Sequence, residues 1–144
     1  MNITIIGGGK VGYNVAKQVS EDEKTNITLI EKRYEKCVEI SEELDITVIN
    51  GDSTDPKFLA EAGIEDTDMF IISTGDDEIN FVSLEIISKL FNYDKIIVRV
   101  NNPKNKEIFE KSGVDTIISP TEIMTQAITL DIDHLIKERE LKDD

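Results

Sequence analysis

Met1-Asn2-Ile3-Thr4-Ile5-Ile6-Gly7-Gly8-Gly9-Lys10-Val11-Gly12 opens the chain. It reads as a buried strand running into a Gly-x-Gly-x-x-Gly turn, with a helix from Val11 to Val19 behind it, the start of a nucleotide-binding βαβ unit. Each glycine has a separate physical task. Gly7 makes the tight turn, Gly9 lets backbone approach a pyrophosphate, and Gly12 lets the helix pack closely on the strand. The helix amides and dipole then face the phosphates. Glycine-rich turns that hold no ligand are common, so context decides. Asn26-Ile27-Thr28-Leu29-Ile30-Glu31 supplies it, a second strand ending in an acidic side chain about 20 residues past the turn, where a ribose hydroxyl pair needs an acceptor.

Strand signals recur outward from this unit at Ile3–Ile6, Ile27–Ile30, Ile46–Ile49, Met69–Ile72, Lys95–Val100 and Thr116–Ile118, with helical stretches between them. Several are near-continuous Ile, Val and Leu, as expected when both faces of a parallel sheet are covered. Right-handed crossovers then predict an α/β fold, a doubly wound parallel six-stranded Rossmann sheet of order 3-2-1-4-5-6. Asp55-Pro56 and Asn102-Pro103 start helices, and Gly63 and Gly113 end them. Pro120 opens a last helical stretch from about Thr121 to Lys137. The domain is expected to span residues 1–135, with residues 136–144 a charged tail that frays.

At 144 residues the chain has room for one domain with its own core. No apolar run reaches the roughly 18 residues needed to span a bilayer, and the first residues lack the charged start of a signal peptide. A cytosolic protein is expected. Cys37 is the single cysteine, so it has no partner for a disulfide or a ligand cluster. The net charge of −14 would repel a nucleic-acid backbone, and the 16 basic residues are scattered. Nucleic acid is not an expected partner.

In a sheet of this order the ligand crevice lies beyond the carboxyl ends of the strands. Glu31 is the leading residue there: its carboxylate can accept both ribose hydroxyls and would repel a 2′-phosphate, which favours NAD over NADP. The adjacent Lys32-Arg33 reads either as a phosphate contact or as the solvated start of a helix. Asp52 and Ser53 can bond an adenine edge or form the turn before Asp55-Pro56. Thr74 and Gly75 close the far wall, although Gly75-Asp76-Asp77 also looks like a cap for the Glu78–Asn92 helix. Arg99 is the charge inside a β-strand, pointing to a ligand, an interface or a salt bridge at the sheet rim.

Catalytic groups are scarce. Tyr13-x-x-x-Lys17 matches the Tyr/Lys spacing of short-chain dehydrogenases but lies on the helix after the glycine turn, and His134, the single histidine, is far from every strand end. No metal-ligand constellation stands out.

The glycine turn, Glu31, Gly51-Asp52, Leu59-x-x-Ala62-Gly63-Ile64, Asp68, Thr74-x-x-Asp77-x-x-Asn80, Arg99 and Gly113-Val114-Asp115 occur in this order. With that series the chain resembles, from Met1 to roughly Leu135, the TrkA N-terminal (KTN/RCK) domains, regulatory units of potassium transporters and channels. The resemblance implies a non-enzymatic cytoplasmic subunit that binds NAD, as NAD+ or NADH. Such a subunit works at the inner face of the membrane and passes the bound state to a potassium-translocating partner. Carried over by position, the family's nucleotide contacts fall on the Gly7–Val11 turn (Gly7, Gly8, Gly9, Lys10, Val11), Glu31, Asp52, Ser53, Thr74 and Arg99. Family members usually continue into a smaller C-terminal domain, so a single-domain member or a fragment is expected. The last helix has more than one apolar face; one is expected to pack on its own sheet and the other, as in related domains, to cross to a partner in a homodimer or larger homo-oligomer.

Two enzymatic readings compete: a small NAD-dependent oxidoreductase, and a methyltransferase using the same turn for S-adenosylmethionine. Both need a substrate pocket, and the first also needs an acid/base near the nicotinamide. A redox sensor acting on other partners is a further alternative, since no residue here names a potassium pore.

Overall fold

A computed structural model describes residues 1–144. The apolar runs form strands β1 (Asn2–Ile6), β2 (Asn26–Glu31), β3 (Thr47–Asn50), β4 (Met69–Ile72), β5 (Lys95–Arg99) and β6 (Thr116–Ile118). Between and after them lie helices α1 (Lys10–Val19), α2 (Tyr34–Glu43), α3 (Pro56–Glu61), α4 (Asp77–Leu90), α5 (Lys106–Lys111) and α6 (Pro120–Asp143). A 3₁₀ turn at Pro103–Asn105 leads into α5. All neighbouring strands are parallel, in the order β3-β2-β1-β4-β5-β6. The expected doubly wound topology is therefore the one formed.

Side-chain alternation divides the core between two faces. Ile3 and Ile5 of β1 join Ile27, Leu29, Ala16 and Ile40 under α1 and α2. Ile6 packs on the opposite face with Ile72, Phe70, Leu84, Ile87 and Leu59 under α3 and α4. Thr4 shares that second face, and its hydroxyl is satisfied by Thr67 Oγ1 at 2.6 Å. Asp55 and Asp76 cap α3 and α4 by accepting amides of their first turns, and Ser119 caps α6.

Two expectations at the C-terminus are corrected. The helix does not end near Lys137 but runs to Asp143, through the charged residues 136–143. Neither of its faces packs on its own sheet, because no residue of α6 is buried. Meanwhile, on the face shared with α1 and α2, no helix of the chain covers β4 to β6. Met69, Ile71 and Ile97 are half-buried there and Ile118 is exposed.

Candidate functional site

The carboxyl ends of β1 and β4 are hydrogen-bonded neighbours whose chains leave to opposite faces of the sheet, opening the crevice such a topology requires. Gly7 turns the chain off β1 at φ +103°, a conformation side chains rarely adopt. Its amide donates to Ile30 O at 2.9 Å, and a Cβ there would meet Ser73 O at 3.0 Å. Gly12 is tighter: a Cβ would lie 1.9 Å from Gly7 O, so α1 approaches the turn only because this residue is glycine. A Cβ on Gly9 or Gly75 would instead meet nothing within 4 Å. These two glycines leave open space in the mouth of the cleft.

The cleft has a volume of about 650 Å³. Of the candidate residues, Gly7, Gly9, Lys10, Val11, Glu31, Asp52, Ser53, Thr74, Gly75 and Arg99 line it. Gly8 and Gly12 do not; they lie beneath the turn, where a Cβ on Gly8 would meet Ile40 Cδ1 at 2.7 Å. Gly8 still contributes its amide, which donates to Glu31 Oε1 at 3.0 Å.

Glu31 ends β2 with its side chain buried, 7% exposed. Burial pushes its carboxyl up. The Arg33 side chain and amide, the Gly8 amide and the Arg33 charge more than offset this, so it stays below the usual carboxylate range. Asp52 is likewise held down, chiefly by the Thr54 hydroxyl and amide, which donate to its Oδ1 at 2.6 and 2.9 Å; Lys32 Nζ is 3.7 Å from its other oxygen. Lys32 and Arg33 are thus paired with the cleft's own carboxylates, a role their sequence neighbourhood does not reveal. The hydroxyl of Ser53 is directed away to Ser83 Oγ at 2.6 Å, leaving that residue's backbone as its polar contribution.

Across the cleft, Thr74 is held by Asn80, a fully buried side chain. Asn80 Nδ2 donates to Thr74 O at 3.1 Å and to Arg99 O at 2.9 Å, tying the ends of β4 and β5 together. Asp77 fixes the next loop by accepting from the amides of Asn101 (2.6 Å) and Asn102 (2.9 Å) and from Asn105 Nδ2 (2.8 Å). Arg99 forms no salt bridge, and its buried Nε has no hydrogen-bond partner within the chain. A buried donor without a partner is costly, and Arg99 lines the cleft with no acceptor of its own in the chain.

The lining thus combines a buried carboxylate with two free backbone positions, a cation lacking an acceptor, and α1. Helix α1 has no side-chain cap and no acidic residue in its first turn. Together these can accept a diol at one end and an anion such as a pyrophosphate in the middle. The Tyr/Lys pair is placed elsewhere, since Tyr13 Oη donates to Glu43 on α2 and neither Tyr13 nor Lys17 lines the cleft. His134 is on the projecting α6. No group of three or more His, Cys, Asp or Glu side chains is arranged to hold a metal ion, and no helix is long and apolar enough to cross a membrane.

The TrkA-N domain family model matches residues 3–120. Among curated proteins, a Trk system potassium uptake protein TrkA homolog of Methanothermobacter thermautotrophicus is 42% identical over 120 residues, covering 83% of this chain and 55% of that protein. The chain thus spans about half the length of that relative. Among solved structures, GsuK bound to ADP is 26% identical with a TM-score of 0.74, over 92% of this chain and 34% of that one. The GsuK channel bound to NAD gives a TM-score of 0.72 at 18% identity, over 81% and 21% of the two chains, a likeness of fold.

Proposed function

Because the chain belongs to the TrkA-N domain family, we propose that it is a nucleotide-binding regulatory unit of a potassium uptake system, with NAD(H) as its ligand. The observation that carries the reading is the presence in one cleft of the buried Glu31 carboxylate and the Arg99 guanidinium with its unpartnered Nε. Glu31 takes the adenosine ribose hydroxyls and the first turn of α1, with Lys10, takes the pyrophosphate. Gly9 and Gly75 leave room for it, and Arg99 supplies the opposing charge. Asp52 and the Ser53 backbone border the adenine. The names of the relatives, and the ADP- and NAD-bound states of the structural neighbours, support the same assignment.

No His, Cys or Tyr lines the cleft, and its carboxylates Glu31, Asp52 and Asp76 are already engaged by donors of the chain, so the unit binds its nucleotide without chemistry and acts as a switch. Nucleotide bridges the Gly7–Gly12 and Thr74–Asp77 loops and so biases their separation, by no more than its difference in affinity for the two geometries. The unpacked α6 and the uncovered face of β4 to β6 both present apolar side chains, so a second copy covers each with the other in a homodimer. The assembly works in the cytoplasm at a potassium-translocating membrane partner. Mass spectrometry of nucleotide retained by the folded protein, followed by calorimetric titration with NAD, NADH and NADP, tests the site. Retained S-adenosylmethionine, or no binding of any of the three, would overturn it.

A further inference from the structure

Resting on the nucleotide reading of the cleft, a count of acceptor positions on Glu31 gives Arg33 a role of its own. An ionised carboxylate offers about four lone-pair sites, and all are filled in this chain. On Oε1 the donors are the Gly8 amide at 3.0 Å and Arg33 Nη2 at 3.2 Å. On Oε2 they are the Arg33 amide at 2.6 Å and Arg33 Nε at 3.3 Å. Each oxygen therefore has one backbone donor, fixed by the fold, and one guanidinium donor. A ribose diol also presents two hydroxyl donors side by side, and the positions open to it are the two that the guanidinium fork occupies.

We propose that Arg33 is a specificity-setting residue whose guanidinium competes with the ligand's 2′,3′-diol for the outer acceptor positions of Glu31. The Arg33 side chain is 63% exposed and so can swing away into water, whereas Glu31, at 7%, cannot move to meet a ligand elsewhere. Lys32 is engaged with Asp52 and does not substitute for it. Each diol that enters exchanges two guanidinium bonds for two hydroxyl bonds, so the site gains less from the diol than the carboxylate alone would give. A ligand lacking the diol leaves the Arg33–Glu31 pair in place.

The test compares ADP with 2′,3′-dideoxy-ADP on the wild-type chain, Arg33→Ala and Arg33→Lys, by calorimetric titration. Arg33 is solvent-exposed and its amide survives substitution, so circular dichroism is expected to stay native. The ratio of the two dissociation constants cancels any general attraction between the arginine and phosphate. It is expected to shift about two- to fivefold further in favour of ADP in Arg33→Ala, the worth of an exposed ion pair. Arg33→Lys, whose single ammonium cannot fill both positions, should fall between. An unchanged or smaller ratio in Arg33→Ala overturns the proposal, the latter meaning that Arg33 supports the adenosine directly. If the wild-type chain binds neither nucleotide, the reading of the cleft fails first and this inference with it.

Discussion

One methyl group added at two positions of the same turn should be costly at one and neutral at the other. In Gly12→Ala the new Cβ would lie 1.9 Å from Gly7 O and 3.0 Å from Gly7 C, against ordinary contacts of about 3.5–4.0 Å. The atoms struck are backbone, fixed by the Gly7–Ile30 and Ser73–Ile6 hydrogen bonds, so α1 must retreat or the turn must open. Overpacking of this kind costs up to about 3 kcal/mol, and replacing a helical glycine returns about 1 kcal/mol. The net loss is about 2 kcal/mol. In Gly9→Ala the backbone, at φ −71°, accepts any residue and the Cβ meets nothing. A weaker N-cap offsets the entropy gained from the unfolded chain, leaving stability within about 0.5 kcal/mol. Branching the side chain further, in Gly9→Val, fills the space assigned to the pyrophosphate and should abolish NAD binding with native circular dichroism. Urea unfolding and calorimetric titration read the two effects separately. Gly12→Ala as stable as wild type, or Gly9→Val binding NAD at wild-type strength, would refute the division of labour within the turn.

Glu31→Ala removes charge-assisted hydrogen bonds worth about 1.5–3 kcal/mol and should weaken NAD by less than that, since the diol first displaces the Arg33 bonds, while narrowing the preference over NADP; calorimetry showing equal affinities for wild type and variant would remove Glu31 from the site. Burial raises the Asp77 carboxyl, but the Asn101 and Asn102 amides and the Asn105 and Asn101 side chains lower it further, for a net downward shift. Its stabilisation is therefore present above the unfolded value of about 3.9 and lost as pH falls through the lower folded value. Asp77→Asn should unfold at lower urea than wild type at pH 7, by about 1–2 kcal/mol, with the gap closing towards pH 2; a gap independent of pH would contradict this. Ile128→Glu with Leu135→Glu, both exposed on α6, should sediment as a monomer where the wild-type chain sediments as a dimer. A wild-type monomer would remove the covering role given to α6.

The fold was legible because its signals are local. The apolar runs at Ile3–Ile6 and Met69–Ile72, the prolines after Asp55 and Asn102, and the spacing from the glycine turn to Glu31 each depend on neighbours along the chain, and the parallel topology follows from their alternation. For the same reason most of the candidate site could be named: strand ends in a doubly wound sheet converge wherever the strands themselves are correctly placed.

What tertiary structure alone decided was which partner each polar group found. Ser53 turned to Ser83 on α4, Arg33 folded back on Glu31, and Asn80 became a buried tie between Thr74 and Arg99; each choice depends on distances between elements that sequence spacing does not contain. It also separated Gly9 from Gly12, identical in the motif yet one facing open space and the other a carbonyl oxygen. The apolar pattern of α6 specified a helix with faces to bury, and the chain's own sheet leaves them exposed. Periodicity determines that a surface must be covered; only the arrangement of the elements in space determines by what.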